Sequence, residues 1–547
     1  MIVGIIPSDR RQSVILRSPV DEPSPAERRA RSDLSRLARG GTLTLIGSVA
    51  SSVLGFALTL LITHGLRATG AGVVFEAIAL FAIVSNIAEL GADTGLVRLV
   101  ASYRATGRVR DIRPLLGIAL WPVAVSGAAF AAAGVVWAPQ LARAFIHGAS
   151  RGDAVGDIRV FSLFLPAAVL TTVALSGTRG FGTMRPYVAV QSFVVPALRP
   201  ILVSIVLLAG MGAVAVGVAW AVPLGVGCTL ALWTLFLLLR QAEQRDRSPA
   251  HAPGPAGALA AEFWRFCIPR GISVVFTVAL ASIDVLMVGA LRTTQEAGVY
   301  ATAMRFLGVG QFSLQAASLA IAPQLSALIV RGDRARARSI FQTATSWLVL
   351  PAWPTYLILG IYAPLLLRVF GPQFAQGSTA LLIMVPAFMI FVGTGNNKVA
   401  LLMGGKSSWA LASIGISVAL NVVLNLILIP HLGIEGAAIA YAVSLTLDTL
   451  VIAVAVWAFL GLHPFGRAYP VLLAASLLTF GAIGLFCRVT LGATIGSFAL
   501  FLVLACGAFL AIVRRARGLL DLGVFGQTMR SLGRPTPGDG GSWQIPL

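Results

Sequence analysis

The chain has 547 residues, of which 57% are hydrophobic and only 11% charged, and its mean hydropathy is +0.87. Soluble domains carry about 25% charged residues, so a soluble globular protein is excluded. The 41 Lys+Arg against 21 Asp+Glu give a net charge of +20, yet no basic, aromatic-interleaved segment exists to bind nucleic acid, and the excess has to be explained by topology.

In chain order, residues 1–41 are polar and Arg-rich, and the first long apolar run begins at Thr42. This reads as a disordered basic tail rather than a cleavable signal peptide. A bilayer crossing needs about 20 apolar residues. Fourteen stretches of that kind follow, at 42–63, 72–97, 115–136, 160–178, 187–209, 213–239, 271–291, 297–326, 340–361, 378–397, 409–429, 434–460, 468–487 and 492–513. Residues 514–547 form a second polar tail, Gly/Pro-rich at 534–541 and expected to be disordered. Cys228, Cys267, Cys487 and Cys506 lie in or beside apolar segments without metal-ligand spacing, so they read as small buried apolar residues, not as a disulfide framework or a metal site.

If the N-terminus is cytoplasmic, fourteen crossings bring both tails and every second loop to one side. Most of the 41 basic residues then fall there: the tails, Arg104/Arg108/Arg110/Arg113, Arg179/Arg185, the 240–270 segment, Arg331/Arg334/Arg336/Arg338 and Lys398/Lys406. This is the positive-inside pattern of a multi-pass protein of the cell membrane. An internal repeat sits on top of it. Ala71-Gly72-Val73 returns as Ala297-Gly298-Val299, Leu165-Pro166-Ala167 as Val385-Pro386-Ala387, and Val218-Ala219-Trp220-Ala221-Val222 as Ile439-Ala440-Tyr441-Ala442-Val443. The sequence thus predicts two six-helix lobes in pseudo-twofold repeat, at 42–239 and 271–460, joined by a cytoplasmic linker at 240–270. Two extra C-terminal helices follow at 468–513. Parallel lobes of this kind are a transporter design, with substrate bound between them and alternating access by rocking.

The second half reads Asp284-x-x-Met287-Val288-Gly289, Ala297-Gly298-Val299-Tyr300-x-x-Ala303-x-Arg305, Pro323 before Arg331-Gly332-Asp333, Phe370-Gly371-x-x-Phe374, Asn421-x-x-x-Asn425 and Ile429-Pro430-x-x-Gly433-Ile434-x-Gly436-Ala437-Ala438. This resembles the polysaccharide transporter family, the Wzx-type O-antigen and teichoic-acid flippases, which shares a superfamily with MurJ-type lipid II flippases and multidrug MATE exporters. The resemblance covers residues 40–513 in layout and is specific in the second half. It implies a MATE-like, V-shaped pair of lobes around a central cavity. The implied activity is movement of a polyprenyl-diphosphate-linked oligosaccharide from the cytoplasmic to the outer leaflet, for O-antigen or exopolysaccharide synthesis, with a polymerase and glycosyltransferases as pathway partners. A monomer embedded in membrane lipid, without cofactor or metal, is expected.

Ionisable groups inside apolar helices are costly and normally face a cavity or a partner. Arg199 lies near mid-membrane between Pro196 and Pro200, which open the backbone around it. Asp284 and Arg305 fall at matching depths on consecutive antiparallel helices. One reading gives Arg199 and Arg305 to a lipid-linked diphosphate, because Arg grips phosphate in a bidentate fork and stays charged when partly desolvated. The other lets Asp284 and Arg305 neutralise each other. Asn421 and Asn425 share a helix face and serve either sugar hydroxyls or interhelical hydrogen bonding. Asn86, Glu89 and Asp93 share a stripe, where the carboxylates form an ion-coupling site or pair with Arg98 or Arg104; Asp448 is equally central and equally open.

Gly404-Gly405-Lys406-Ser407 imitates the end of a phosphate-binding loop, but position 400, where that loop needs glycine, is Ala400. With no hydrolase motif and no large extramembrane domain, an enzyme is not expected. The competing readings are a cation-coupled exporter of drug-like molecules, which would favour carboxylates in its cavity, and a membrane polymerase or ligase, which would need a sizeable outer loop beyond the modest one at 137–159.

Overall fold

The computed structural model describes residues 25–146, 151–246, 254–308 and 331–516, with positions 310, 314, 325, 328 and 329. Among them every regular element is helical, and twelve helices are long and apolar enough to cross a membrane. The first of these spans holds two predicted crossings, because α1, Pro25–Ala88, bends at Arg67, where the backbone turns to φ 57°. The predicted crossing at 297–326 starts as a helix at Thr294 and leaves the described residues beyond Gly308. Fourteen is therefore an approximate count, and the all-helical membrane class stands.

The remaining elements of the first lobe are α2 Ala92–Ala105, α3 Ile112–Phe145, α4 Arg151–Gly180, α5 Arg185–Leu208 and α6 Ala213–Arg245. In the second lobe, α7 is Ala256–Leu291, α8 Thr294–Leu307, α9 Arg334–Ile361, α10 Ser378–Gly393, α11 Asn397–Met403, α12 Ser407–Leu432 and α13 Ile434–Leu460. A final hairpin, α14 Tyr469–Leu491 and α15 Ile495–Arg515, packs on α9. α3 and α6 flank α4 in the first lobe, and α12 and α10 flank α13 in the second. Pro122, Pro166, Pro223 and Pro386 lie inside these helices, a position membrane helices tolerate better than soluble ones do. α8 starts on a side-chain cap, with the Thr293 hydroxyl accepting from Glu296 N at 3.2 Å.

Three sequence expectations change. Helix begins at Pro25, so the tail is not disordered throughout its 41 residues; residues 1–24 and 517–547 lie outside the described ones. The 240–270 linker is largely helix, since α6 runs to Arg245 and α7 starts at Ala256; residues 247–253, with two of its prolines, lie outside the described residues. The loop expected at 137–159 shrinks because α3 continues to Phe145 and α4 starts at Arg151. In each case the apolar stretch marks the hydrocarbon thickness while the helix continues past it, where water can satisfy its ends.

The lobes meet through α1, which packs on α7 and α8, and through α2 and α3 against α7. Near one end, the repeated glycines cross: a Cβ on Gly298 would lie 2.5 Å from Ala68 O and 2.9 Å from Gly72 N, and one on Gly72 would strike Thr294 O. Near the other, a Cβ on Gly271 would lie 2.8 Å from Gly91 N. Between them Phe56 of the first lobe meets Phe306 and Phe370 of the second, ring centroids 5.5 and 5.0 Å away.

Candidate functional site

Arg199 occupies a prepared position on α5. The turn before it, Val188–Val194, is wound as a π-helix, and Pro196 and Pro200 follow inside an α-helical stretch. Proline removes a donor and crowds the carbonyl four residues back, and the wider π turn accommodates both effects. The opening expected around Arg199 is not there: the backbone about Arg199 is regular α-helix, and the widened turn lies before both prolines. The Arg199 Nε donates to Trp220 O at 3.1 Å, and the guanidinium carbon stands 3.6 Å over the Trp220 ring. Trp220 is itself held edge-on by Phe161 and Phe81, with ring centroids 5.0 and 5.7 Å away. A desolvated cation over an indole gains about 2 kcal/mol, which offsets part of the cost of holding the charge within apolar helices.

Arg305, on α8, is exposed although its neighbours Ala303, Phe306 and Leu307 are buried. It is the electrostatic neighbour of Arg199. Two cations, one on each lobe, are therefore within electrostatic range of each other, and among the described residues neither forms an ion pair.

Asp284 belongs elsewhere. Its carboxylate accepts from Tyr300 Oη at 3.0 Å and from Asn425 Nδ2 at 2.6 Å, and the same amide donates to Asn421 Oδ1 at 3.0 Å. All four residues are buried. The neutralising pair with Arg305 is thereby replaced by a network of neutral donors on α7, α8 and α12. Asp284, Asn421 and Asn425 hold three helices together in the interior of the second lobe.

The stripe of Asn86, Glu89 and Asp93 does not survive as a helix face. The chain turns left-handed at Leu90 (φ 53°) and Gly91 (φ 73°), so Glu89 lies just past the end of α1 and Asp93 in the first turn of α2. Asn86 bonds back to Ala82 O at 2.9 Å. Glu89 is buried with Thr172 as its hydrogen-bond partner, and Asp93 has Arg179 and Arg270 as charged neighbours. The partners expected for them are engaged otherwise: Arg98 lies 4.3 Å over Phe266, and Arg104 donates to Phe181 O. Asp448 accepts from Ser413 Oγ at 2.7 Å and has Lys398 as a charged neighbour.

Two carboxylates went unremarked in the sequence. Glu76 on α1 and Asp157 on α4 are buried, and among the described residues neither carboxylate has a hydrogen-bond partner. Glu76 sits against Gly289 of α7, so it lies at the contact between the lobes. The signal that singled out Asp284, an acidic residue in an apolar run, was present for Glu76. The remaining partner residues, Trp220 and Tyr300, carry no comparable signal. Of the cysteines, Cys267 and Cys487 are buried as expected, whereas Cys506 is exposed and Cys228 half-buried.

No protein-family model matches the chain. Among curated proteins it is similar to a probable low-salt glycan biosynthesis flippase, Agl15, of Haloferax volcanii, with 32% identity over 173 residues, which is 30% of this chain and 36% of that protein. The chain thus spans about a third of the length of the curated relative it matches. Among solved structures it superposes on the lipid II flippase MurJ in an inward closed conformation, with a TM-score of 0.68 and 13% identity, covering 87% of this chain and 99% of that one. It also superposes on an inward-facing multidrug resistance MATE family transporter of the MOP superfamily, with a TM-score of 0.62 and 15% identity, over 75% and 94% of the two chains.

The chain therefore shares the fold of these transporters.

The all-helical transporter architecture implied by the second-half motifs is the one found.

Proposed function

We propose that the protein is a flippase that carries a polyprenyl-diphosphate-linked oligosaccharide between the leaflets of the cell membrane, using its lobes in alternating access. The observation that carries this reading is Arg199, stacked on Trp220 within the first lobe, with Arg305 of the second lobe in its electrostatic range. Two guanidiniums without carboxylate partners repel, and an anion entering between them relieves that repulsion. A diphosphate, with oxygens on both phosphorus atoms, suits two planar forks better than a monovalent or cationic cargo does. Arg199 is held in place by Trp220 before cargo arrives, so little conformational freedom is lost on binding.

In this reading the basic loops face the cytoplasm, both tails included, and loading occurs from that side. The lobe boundaries at 42–239 and 271–460, the supporting role of Asp284, Asn421 and Asn425, and ion coupling through Glu89, Asp93 or Asp448 belong to the same proposal. The relatedness to a probable glycan biosynthesis flippase supports the cargo class. The test is mass spectrometry of polyprenyl-diphosphate lipids from depleted cells, combined with leaflet labelling. Accumulation of a complete lipid-linked oligosaccharide on the cytoplasmic face is expected. Accumulation on the outer face would place the protein after translocation, and unchanged glycolipids would turn the reading towards export of other solutes.

A further inference from the structure

An opening in the first lobe contains neither Arg199 nor Arg305 among its lining residues. It is a groove of about 430 Å³ between α3, α4 and α6, lined by Arg113, Gly117, Leu120, Trp121, Phe236 and Arg240 among others. On α3 the lining residues Arg113, Gly117, Leu120 and Ala124 recur at intervals of three and four, one face of the helix. From Arg113 to Ala124 this face spans about 16 Å at 1.5 Å per residue, the depth of one leaflet of a hydrocarbon core of about 30 Å.

The two ends of the groove differ. At the basic side of the bundle stand Arg113 and Arg240, both exposed. Arg113 is held by a bidentate pair with Glu243 at 2.8 and 2.9 Å, while Arg240 forms no ion pair among the described residues. Towards the middle of the membrane the walls are apolar, and Trp121 is 73% exposed. Gly117 faces open space, because a Cβ built on it meets nothing within 4 Å. A cation at the rim, an apolar trough one leaflet deep below it and missing side-chain volume at Gly117 make a complementary seat for an amphiphile with a negative head.

We propose that this groove binds an anionic phospholipid, its phosphate at Arg240 and Arg113 and one acyl chain along Gly117, Leu120 and Phe236. The site includes neither Arg199 nor Arg305 and does not depend on what is transported. A bound lipid there would brace α3 against α6 at the side that carries most of the positive charge, where anionic headgroups concentrate.

The test is native mass spectrometry of the full chain, purified in detergent and offered equal amounts of phosphatidylglycerol and phosphatidylcholine. The wild type is expected to retain phosphatidylglycerol selectively. Arg240→Gln, which removes the free cation, and Gly117→Leu, whose Cβ meets nothing within 4 Å and whose branches fill the trough, should each lower that retention about fivefold. Leu120→Trp fills the same trough from the next turn and replaces the glycine variant if that is not recovered. Equal retention by the wild type and both variants overturns the proposal, as does equal retention of the two lipids. A loss with Arg240→Gln but none on filling the trough means surface charge binding and overturns the groove. A third arm adds undecaprenyl phosphate; its displacement of phosphatidylglycerol from the wild type would assign the groove to a polyprenyl lipid instead.

Discussion

Arg199 and Trp220 are joined twice: the guanidinium stacks 3.6 Å over the indole while its Nε donates to the backbone carbonyl of the same residue. The two contacts fix both the plane and the direction of the guanidinium fork, leaving its other nitrogens for a ligand. Because Trp220 is wedged by Phe161 and Phe81, the platform is rigid.

Arg199→Ala should therefore abolish transport in a vesicle assay of leaflet exchange while leaving membrane insertion intact. Trp220→Ala keeps the cation but loses the platform, which is worth about 2 kcal/mol, so a loss of roughly 30-fold is expected. Arg199→Lys should fall between the two, because an ammonium cannot make the planar stack together with a bidentate grip. Equal activity in wild type and Trp220→Ala would show that the aromatic support has no part in binding.

The second prediction separates two residues that look like partners in the sequence. Asp284 bonds Tyr300 and Asn425, so Asp284→Ala removes two interhelical hydrogen bonds and should destabilise the protein by about 2 kcal/mol, read as a lowered thermal unfolding midpoint. Arg305→Ala, with no ion pair to lose, should leave that midpoint unchanged and remove transport. If the two substitutions lower stability together and their double variant is non-additive, the residues are coupled after all.

What the sequence disclosed follows from what each signal depends on. Helix number and class are set by runs of apolar residues, and these are visible residue by residue. Arg199 stands out because a lone cation between two prolines in an apolar run has few explanations. Trp220 does not, because the indole that supports Arg199 comes from another helix, and one more aromatic residue in a membrane segment is unremarkable. The Asp284 network was hidden for a related reason: which face of α7 points inward depends on rotation against α8 and α12, and Tyr300 is as suited to an apolar as to a polar setting. The break after Glu89 had no signal either, since nothing in local propensity leads leucine into the left-handed region.

The crossing of Gly72 and Gly298 yields the third prediction. These are corresponding positions of the internal repeat, and each leaves no room for a Cβ on the other's helix. Gly298→Ala should push α8 off α1 and disfavour the closed arrangement at this end by about 1–3 kcal/mol. Cysteine labelling of a nearby introduced site from that side should rise, and transport should slow because one of its two states is depleted. Gly507→Ala on α15, where a Cβ meets nothing within 4 Å, is the control and should change neither readout.

The last prediction concerns the neighbouring positions Leu90 and Gly91, which share a left-handed turn for opposite reasons. Leu90 adopts φ 53° without glycine's freedom, a conformation that costs about 1–2 kcal/mol for an L residue. Its side chain is 36% exposed, so little packing repays that cost. Leu90→Gly should relieve the backbone strain, lose some unfolded-chain restriction, and leave the protein as stable or up to about 1 kcal/mol more stable. Gly91→Ala should do the reverse: φ is 73°, and a Cβ would lie 2.7 Å from Gly271 N on the other lobe. Thermal unfolding of both variants in the same detergent decides the matter. A Leu90→Gly protein that is markedly less stable than wild type would mean that the leucine side chain, and not the turn, is what this corner requires.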